Sequence, residues 1–396
     1  MNRRAFVQAC AALGGSLPFF NLLGCASEGD EGLYWDFDVA FEGKVVIIGA
    51  GAAGLAAGYM LDRYGIAFEI LEAAQEIGGR VRRASDFVDF PIDVGAEWIH
   101  EDPAVLATLI DDPSAEGDID VLPYSPESVA NYQDGLVQLN VGANYYSEYK
   151  FKSTTWFGFL EEHIAQPIAD RIHPGRPVVS IDRTGDRIVL TDADGARVEA
   201  DRVLVTVPIK VLQAGLITFV PELPRAKVGA IDQVHVPDAI KVFLEFDEAF
   251  YPDLTLVGAL TALDKIYYNA AFRKDTERNV LALFFVSDSA SALTDLESDE
   301  AIVDAVLAEL DTMFGGQATP SFVQGLVQNW SKEPYILGAY SYDFGDDEGA
   351  VIRALNEPVD DQLYFAGEAL SADNGATVPG AMQSAYAAVK ALLETA

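Results

Sequence analysis

The chain has 396 residues, half of them hydrophobic, which allows two domains and a large buried core and excludes a disordered or fibrous polymer. Its 62 acidic against 26 basic residues leave a formal charge of −36, a balance that excludes a basic surface for nucleic-acid phosphates. The acids are spread along the whole chain and read as a hydrated coat; an acidic funnel for cationic substrates is the sharper alternative.

In chain order, residues 1–24 carry Arg3 and Arg4 ahead of an apolar stretch that ends at Leu22, Leu23, Gly24 and Cys25. This order is expected of an export signal, and the paired arginines point to the twin-arginine route, which carries folded proteins. Leu22 to Cys25 also resembles a bacterial lipobox, in which the cysteine is acylated, implying a periplasmic or cell-surface protein held to a membrane only through Cys25. An ordinary signal peptide with an incidental cysteine, or a short buried helix, is the plainer alternative. Cys10 and Cys25 are the two cysteines of the sequence, so the body beyond them is expected to have no disulfide, no thiolate metal site and no cysteine nucleophile. Four scattered histidines argue against a metal centre.

Residues 25–42 are acidic and aperiodic, as in a tether. Residues 44–48 form a continuous apolar run expected of a buried parallel strand, followed by a helix over 51–64 and a second strand over 67–71. Weak periodicity and much Asp, Pro and Gly predict mostly loop over 101–150, and residues 156–172 read as an amphipathic helix. Strands are expected over 178–181, 187–191 and 197–207, then over 239–246 and 280–286 in a largely antiparallel sheet. A helix over 299–314, a buried strand over 363–366 and a closing helix over 379–393 complete the series, without internal repeats.

Gly49, Gly51 and Gly54 form a G-x-G-x-x-G run between the first strand and its helix, the context in which that motif holds a dinucleotide. Gly49 permits the tight turn, Gly51 lets backbone approach a pyrophosphate, and Gly54 allows close packing of helix on strand. The helix N-terminus adds N–H groups and a positive dipole end for the phosphate. Glu72 closes the second strand, where an acid accepts hydrogen bonds from a ribose and disfavours a 2′-phosphate. Beyond it, Gly78, Gly79 and Arg80 offer bare backbone and a guanidinium to a second diphosphate face, as FAD requires. A glycine-rich turn without ligand is the plainer reading.

With the run from Asp93 to His100 and the blocks at 203–212, 239–246, 330–342 and 364–385, the sequence resembles the flavin-dependent amine oxidase superfamily, which includes monoamine oxidases, polyamine oxidases, L-amino-acid oxidases and lysine-specific histone demethylases. The resemblance covers most of residues 43–100 and 175–396. It implies an α/β fold: a Rossmann-type FAD-binding domain (43–100, 176–226 and 357–396) interleaved with a mixed-sheet α+β substrate domain (101–175 and 227–356). It further implies that Val178 meets the adenine through its backbone, that Gly367 and Glu368 belong to an FAGE-like motif at the ribityl or pyrophosphate, and that Thr377 and Val378 reach the N1–C2 edge of the flavin. Pro379 suits a helix first turn there, whose positive dipole end would face a reduced flavin; a small-residue packing helix is the alternative.

By the same resemblance Lys241 points at the flavin and holds a water bonded to N5, whereas a strand lysine is ordinarily a solvent-facing alternation partner. Trp330 and Tyr340 resemble the aromatic residues that wall the flavin face. A second cage wall is missing, because Thr377 and Ala381 stand where certain members have tyrosine. Ala339 replaces the cysteine that bonds FAD in monoamine oxidases, so the FAD is expected to be non-covalent. His100 matches a position occupied by His or Glu in polyamine oxidases, or it simply packs. Residues 101–177 are short for the helical insertion usual in the family, which implies a chamber that is open, completed by another subunit, or shaped for something larger. The expected activity is hydride transfer from a small-molecule amine (primary, secondary or polyamine) to the flavin, with reoxidation by O2 or another acceptor. Two alternatives are an FAD-dependent dehydrogenase or desaturase on an apolar substrate, and a non-enzymatic surface protein that retains FAD.

Overall fold

The computed structural model describes residues 37–115, 119–139, 148–258 and 264–395. The export signal, Cys10, Cys25 and residues 26–36 of the expected tether lie outside the described residues.

Lys44–Ile48, apolar on both faces, is the middle strand of a five-stranded parallel sheet. It pairs with Ala67–Leu71 on one side and Arg202–Val205 on the other, and Ile172–His173 and Leu363–Phe365 form the two edges. Alternate side chains of the middle strand enter different cores. Val45 and Ile47 pack with Leu55 and Met60 of the helix Ala52–Arg63 and with Met382, Tyr386 and Val389 of the helix Val378–Glu394. Val46 and Ile48 pack with Ile181 and Ile188 and with Val351 and Ile352 of the helix Glu348–Asn356. Coverage of both faces explains why the strand reads as an unbroken apolar run. Ile181 and Ile188 belong to a second sheet, in the order Arg197–Ala200, Ile188–Asp192, Val178–Asp182 and Thr218–Val220.

A third, seven-stranded sheet runs in the order Phe322–Asn329, Ala239–Phe246, Asn279–Val286, Lys265–Asn269, Leu254–Val257, Val129–Gln133 and Leu136–Leu139. Its pairings are antiparallel except that of Leu254–Val257 with Val129–Gln133, so the sheet is mixed. All eight residues of Ala239–Phe246 are buried. Ile240, Val242, Leu244 and Phe246 face the helix Asp299–Met313 through Ile302, Val306 and Leu310. The opposite face carries Lys241, Phe243 and Glu245, buried as well, so Lys241 is not the solvent-facing partner that simple alternation suggests. The fold is α/β, a Rossmann-type sheet combined with a mixed-sheet region.

Three expectations need correction. Residues 101–150, expected to be mostly loop, contain the helix Val105–Ile110 and the strands Val121–Tyr124, Val129–Gln133, Leu136–Leu139 and Glu148–Phe151. These elements are too short to show a period; Val121–Tyr124 pairs with Glu148–Phe151, and Val129–Gln133 pairs with Leu136–Leu139 and with Leu254–Val257. The helix expected over 156–172 is α only over Trp156–Leu160, widens over Glu161–Ala165 and tightens over Gln166–Arg171, with Ile168 out of helical geometry. Pro167 supplies no N–H to the ladder, which accounts for the break. Residues 37–42 do not behave as a tether. The N–H groups of Ala40 and Phe41 donate to Leu393 O at 2.8 and 3.1 Å, and Phe41, 6% exposed, lies under the Arg202 guanidinium at 4.4 Å.

Phe41→Ala should therefore lower the unfolding free energy by about 3 kcal/mol, read from urea denaturation followed by circular dichroism. A change below about 0.5 kcal/mol would mean that this segment is not part of the packed body.

Candidate functional site

The carboxyl ends of the parallel strands open into a cavity of about 560 Å³. Of the sequence-predicted residues, it brings together Gly49, Gly51, Glu72, Gly78, Gly79, Arg80, His100, Val178, Lys241, Trp330, Tyr340, Gly367, Glu368, Thr377 and Val378. Gly54 stands behind the wall. A Cβ on Gly54 would fall 1.9 Å from Gly49 O, so its bareness serves helix-on-turn packing. Gly51 is different: a Cβ there would meet only Gly78 O, at 3.8 Å. The protein's own packing does not require glycine at 51, and its backbone is left bare toward the cavity. Gly51 also bridges Gly78, which sets the two glycine segments side by side.

Glu72 extends the second strand and is buried. One carboxylate oxygen accepts from the Ala50 N–H at 2.6 Å and the other from the Ala74 N–H at 2.8 Å. Burial raises its pKa, and these N–H groups work against that rise. Pro177, Val178, Val179 and Ala193 continue the wall beyond Glu72.

Arg80 links the N-terminal segment to the C-terminal one. Its Nη1 donates to Ala339 O at 2.7 Å and to Glu368 Oε1 at 3.0 Å. Glu368 also accepts from the Ser341 hydroxyl at 2.5 Å. Arg82 lines the same cavity, pairs with Glu333 at 2.9 Å and stacks over Trp330 at 5.2 Å, while its buried Nε has no partner among the described residues. At the far wall the helix Val378–Glu394 begins. Its cap, Thr377, accepts from the Gly380 N–H at 2.9 Å, and Thr377, Val378 and Ala381 put the positive end of the helix against the cavity.

The residues fit an FAD. Two bare glycine segments, a buried ribose-type acid, two guanidiniums and a second helix N-terminus occupy one continuous cavity. Ala339 lines it, which agrees with a non-covalent cofactor.

Trp330 and Tyr340 share this cavity, and the indole N–H of Trp330 donates to Val94 O at 3.1 Å. His100 reaches the cavity while its Nδ1 pairs with Glu148 Oε2 at 3.0 Å. Lys241, 3% exposed, donates to Glu97 Oε2 at 2.7 Å and to Asp93 O at 3.1 Å.

Glu97 is the residue whose role the sequence reading missed. It also bonds the buried Lys150 ammonium and the Tyr268 hydroxyl. Burial alone would raise its pKa, but Lys150 and Lys241 overcome this and bring it down to about 2. Asp93 goes the other way, pushed well above the carboxylate range by burial and by Glu97. An acid in an otherwise apolar and small run, 94–99, was the available signal for Glu97. Nothing in the flanks of Lys150 marked it.

The chain matches the family described as flavin containing amine oxidoreductase over residues 145–393, and the NAD(P)-binding Rossmann-like domain over 47–112. Among curated proteins it is 28% identical to polyamine oxidase 4 of Oryza sativa subsp. japonica, covering 87% of each chain. It is 29% identical to lysine-specific histone demethylase 1B of Mus musculus over 58% of this chain and 28% of that one. Among solved structures, putrescine oxidase bound to putrescine superposes with a TM-score of 0.74 at 17% identity, covering 90% of this chain and all of the other (100%). Cyclohexylamine oxidase from Brevibacterium oxydans IH-35A gives 0.74 at 17% identity over 89% and 99%.

The two glycines should separate under mutation. Gly51→Ala is expected to melt like the parent apoprotein but to retain roughly tenfold less FAD, whereas Gly54→Ala should lower the melting temperature itself. Calorimetry together with the ratio of flavin to protein absorbance checks both, and equal flavin retention by Gly51→Ala and the parent would contradict the assignment.

Proposed function

Since the chain belongs to the flavin containing amine oxidoreductase family and is an FAD-dependent oxidoreductase, we propose that it oxidises a small amine at its α-carbon, with O2 as the final acceptor. The observation that carries this reading is a buried ammonium, Lys241, in the same cavity as the diphosphate cradle and the aromatic pair Trp330 and Tyr340. Bound FAD would supply the two-electron acceptor for the amine with O2 as the final oxidant, so that amine, O2 and water would become a carbonyl compound, ammonia or a smaller amine, and hydrogen peroxide.

The chain's own residues bind, orient and exclude water. Two of the three N–H groups of the Lys241 ammonium go to Glu97 and Asp93 O, which leaves one to hold a water at the cavity edge. Trp330 and Tyr340 line the cavity with aromatic rings that exclude water from a bound amine. Glu72 holds the ribose, and the glycine segments with Arg80 hold the diphosphate. Polyamine oxidases and putrescine oxidase are among the similar proteins, which supports an amine as the substrate class.

We further propose that the protein is exported through its paired Arg3 and Arg4 and anchored by an acylated Cys25. Cys25→Ser should move it from the membrane fraction to the soluble fraction on cell fractionation; unchanged partitioning would exclude the anchor.

Purified holoprotein should be yellow and bleach anaerobically with at least one member of a panel of amines, diamines and polyamines, releasing peroxide when air is admitted. Lys241→Met should keep its flavin but react with O2 at least about tenfold more slowly after reduction. A flavin that stays oxidised with every amine yet is reduced by dithionite would overturn the amine reading.

A further inference from the structure

From the cavity edge a chain of buried charges runs inward beyond Lys241, the member that the proposed chemistry uses. Lys150 and Lys241 flank one carboxylate, Glu97, each bonding a different oxygen, and Tyr268 donates to the oxygen that Lys241 also binds. Lys150 comes from the strand Glu148–Phe151 and does not line the cavity. Its ammonium sits 4.8 Å from the ring of Trp98, 5.2 Å from Tyr124 and 5.0 Å from Tyr268. Those rings meet edge to face, Trp98 with Tyr124 at 5.0 Å and Trp98 with Tyr268 at 5.2 Å, so the box is rigid.

A buried ion pair in isolation barely offsets its desolvation, and stability alone is a weak reason for three charges to be buried together. What the arrangement does provide is a fixed charge. Glu97 is ionised between Lys150 and Lys241, while burial and Glu97 raise the Asp93 carboxyl, which accepts from the Trp156 N–H at 3.0 Å. Two lysines thus share one ionised carboxylate, and Glu97 and Lys241 line the cavity while Lys150 stands behind them. The other charged group nearby, Lys274, is brought down to about 8 by burial and by Lys150, and it donates to Phe151 O and Lys152 O.

We propose that Glu97 and Lys150 are positioning residues of the oxidase reaction: Glu97 fixes the Lys241 ammonium at the cavity edge, and Lys150, locked in its aromatic box, holds Glu97 and sets the net charge presented there. The proposal rests on the reading that Lys241 acts at the flavin. It predicts shifts of opposite sign. Lys150→Met leaves Glu97 with one cation and should lower the two-electron reduction potential of the bound flavin; Glu97→Gln leaves two cations and should raise it. Damage to the fold would move both variants the same way.

The holoenzyme and its variants are compared by dye-coupled potentiometry and by stopped-flow mixing of the reduced enzyme with O2. Lys150→Met is expected to slow the O2 reaction roughly tenfold in the parent and to add nothing in a Lys241→Met background. Because Lys150→Met strands a buried carboxylate, the double variant Glu97→Gln with Lys150→Met serves as its folding control, and its potential should lie between those of the two single variants. Potentials that shift together, or not at all, overturn the proposal. So does equal slowing by Lys150→Met with and without Lys241, which leaves the Lys241 reading intact. A Lys241→Met enzyme that meets O2 at the parent rate removes that reading and this proposal together.

Discussion

Parallel pairing around Lys44–Ile48 constrains everything else in this molecule. Parallel strands place their carboxyl ends along one edge of the sheet, and each must leave that edge through a crossover. Ile48 therefore runs into Gly49 and Gly51, Leu71 into Glu72, Val205 into Thr206 and Pro208, and Phe365 into Gly367 and Glu368, all at the wall of one cavity. Segments more than three hundred residues apart meet because the sheet leaves them one side on which to end. The Arg80–Glu368 pair closes that edge, and Ser341 and Ala339 tie the mixed-sheet region to it.

The cavity wall does not share the charge of the whole chain. Glu72, Glu97, Glu333 and Glu368 line it, and each is engaged: by backbone N–H groups, by Lys150 and Lys241, by Arg82, and by Arg80 with Ser341. Arg80, Arg82 and Lys241 line the same wall. Engaged carboxylates do not form an acidic funnel, so the excess of 36 negative charges reads better as a hydrated coat than as steering for a cation.

Legibility in the sequence followed locality. Gly49 to Gly54 and the closing helix with Pro379 in its first turn were readable because they depend on neighbours within a few residues: a turn, a close helix, a first-turn proline. Residues 101–150 were not, because strands as short as Val129–Gln133 owe their existence to a partner such as Leu254–Val257, which no local period reveals. For Lys241, simple alternation pointed the side chain to solvent while the family resemblance pointed it inward, and the covered second face of its strand excludes the solvent-facing reading.

By itself the sequence pointed to a Rossmann-type α/β region through its glycine run between a strand and a helix, and its resemblance to the amine oxidase superfamily implied the rest of the fold and FAD. The tertiary structure alone decided what surrounds the reactive edge. Glu97 and Lys150 lie 53 positions apart, in different elements, and a buried carboxylate finds its cations through space rather than along the chain. Burial and charge pairing act at distances of a few ångströms, and only folding brings such groups within that range.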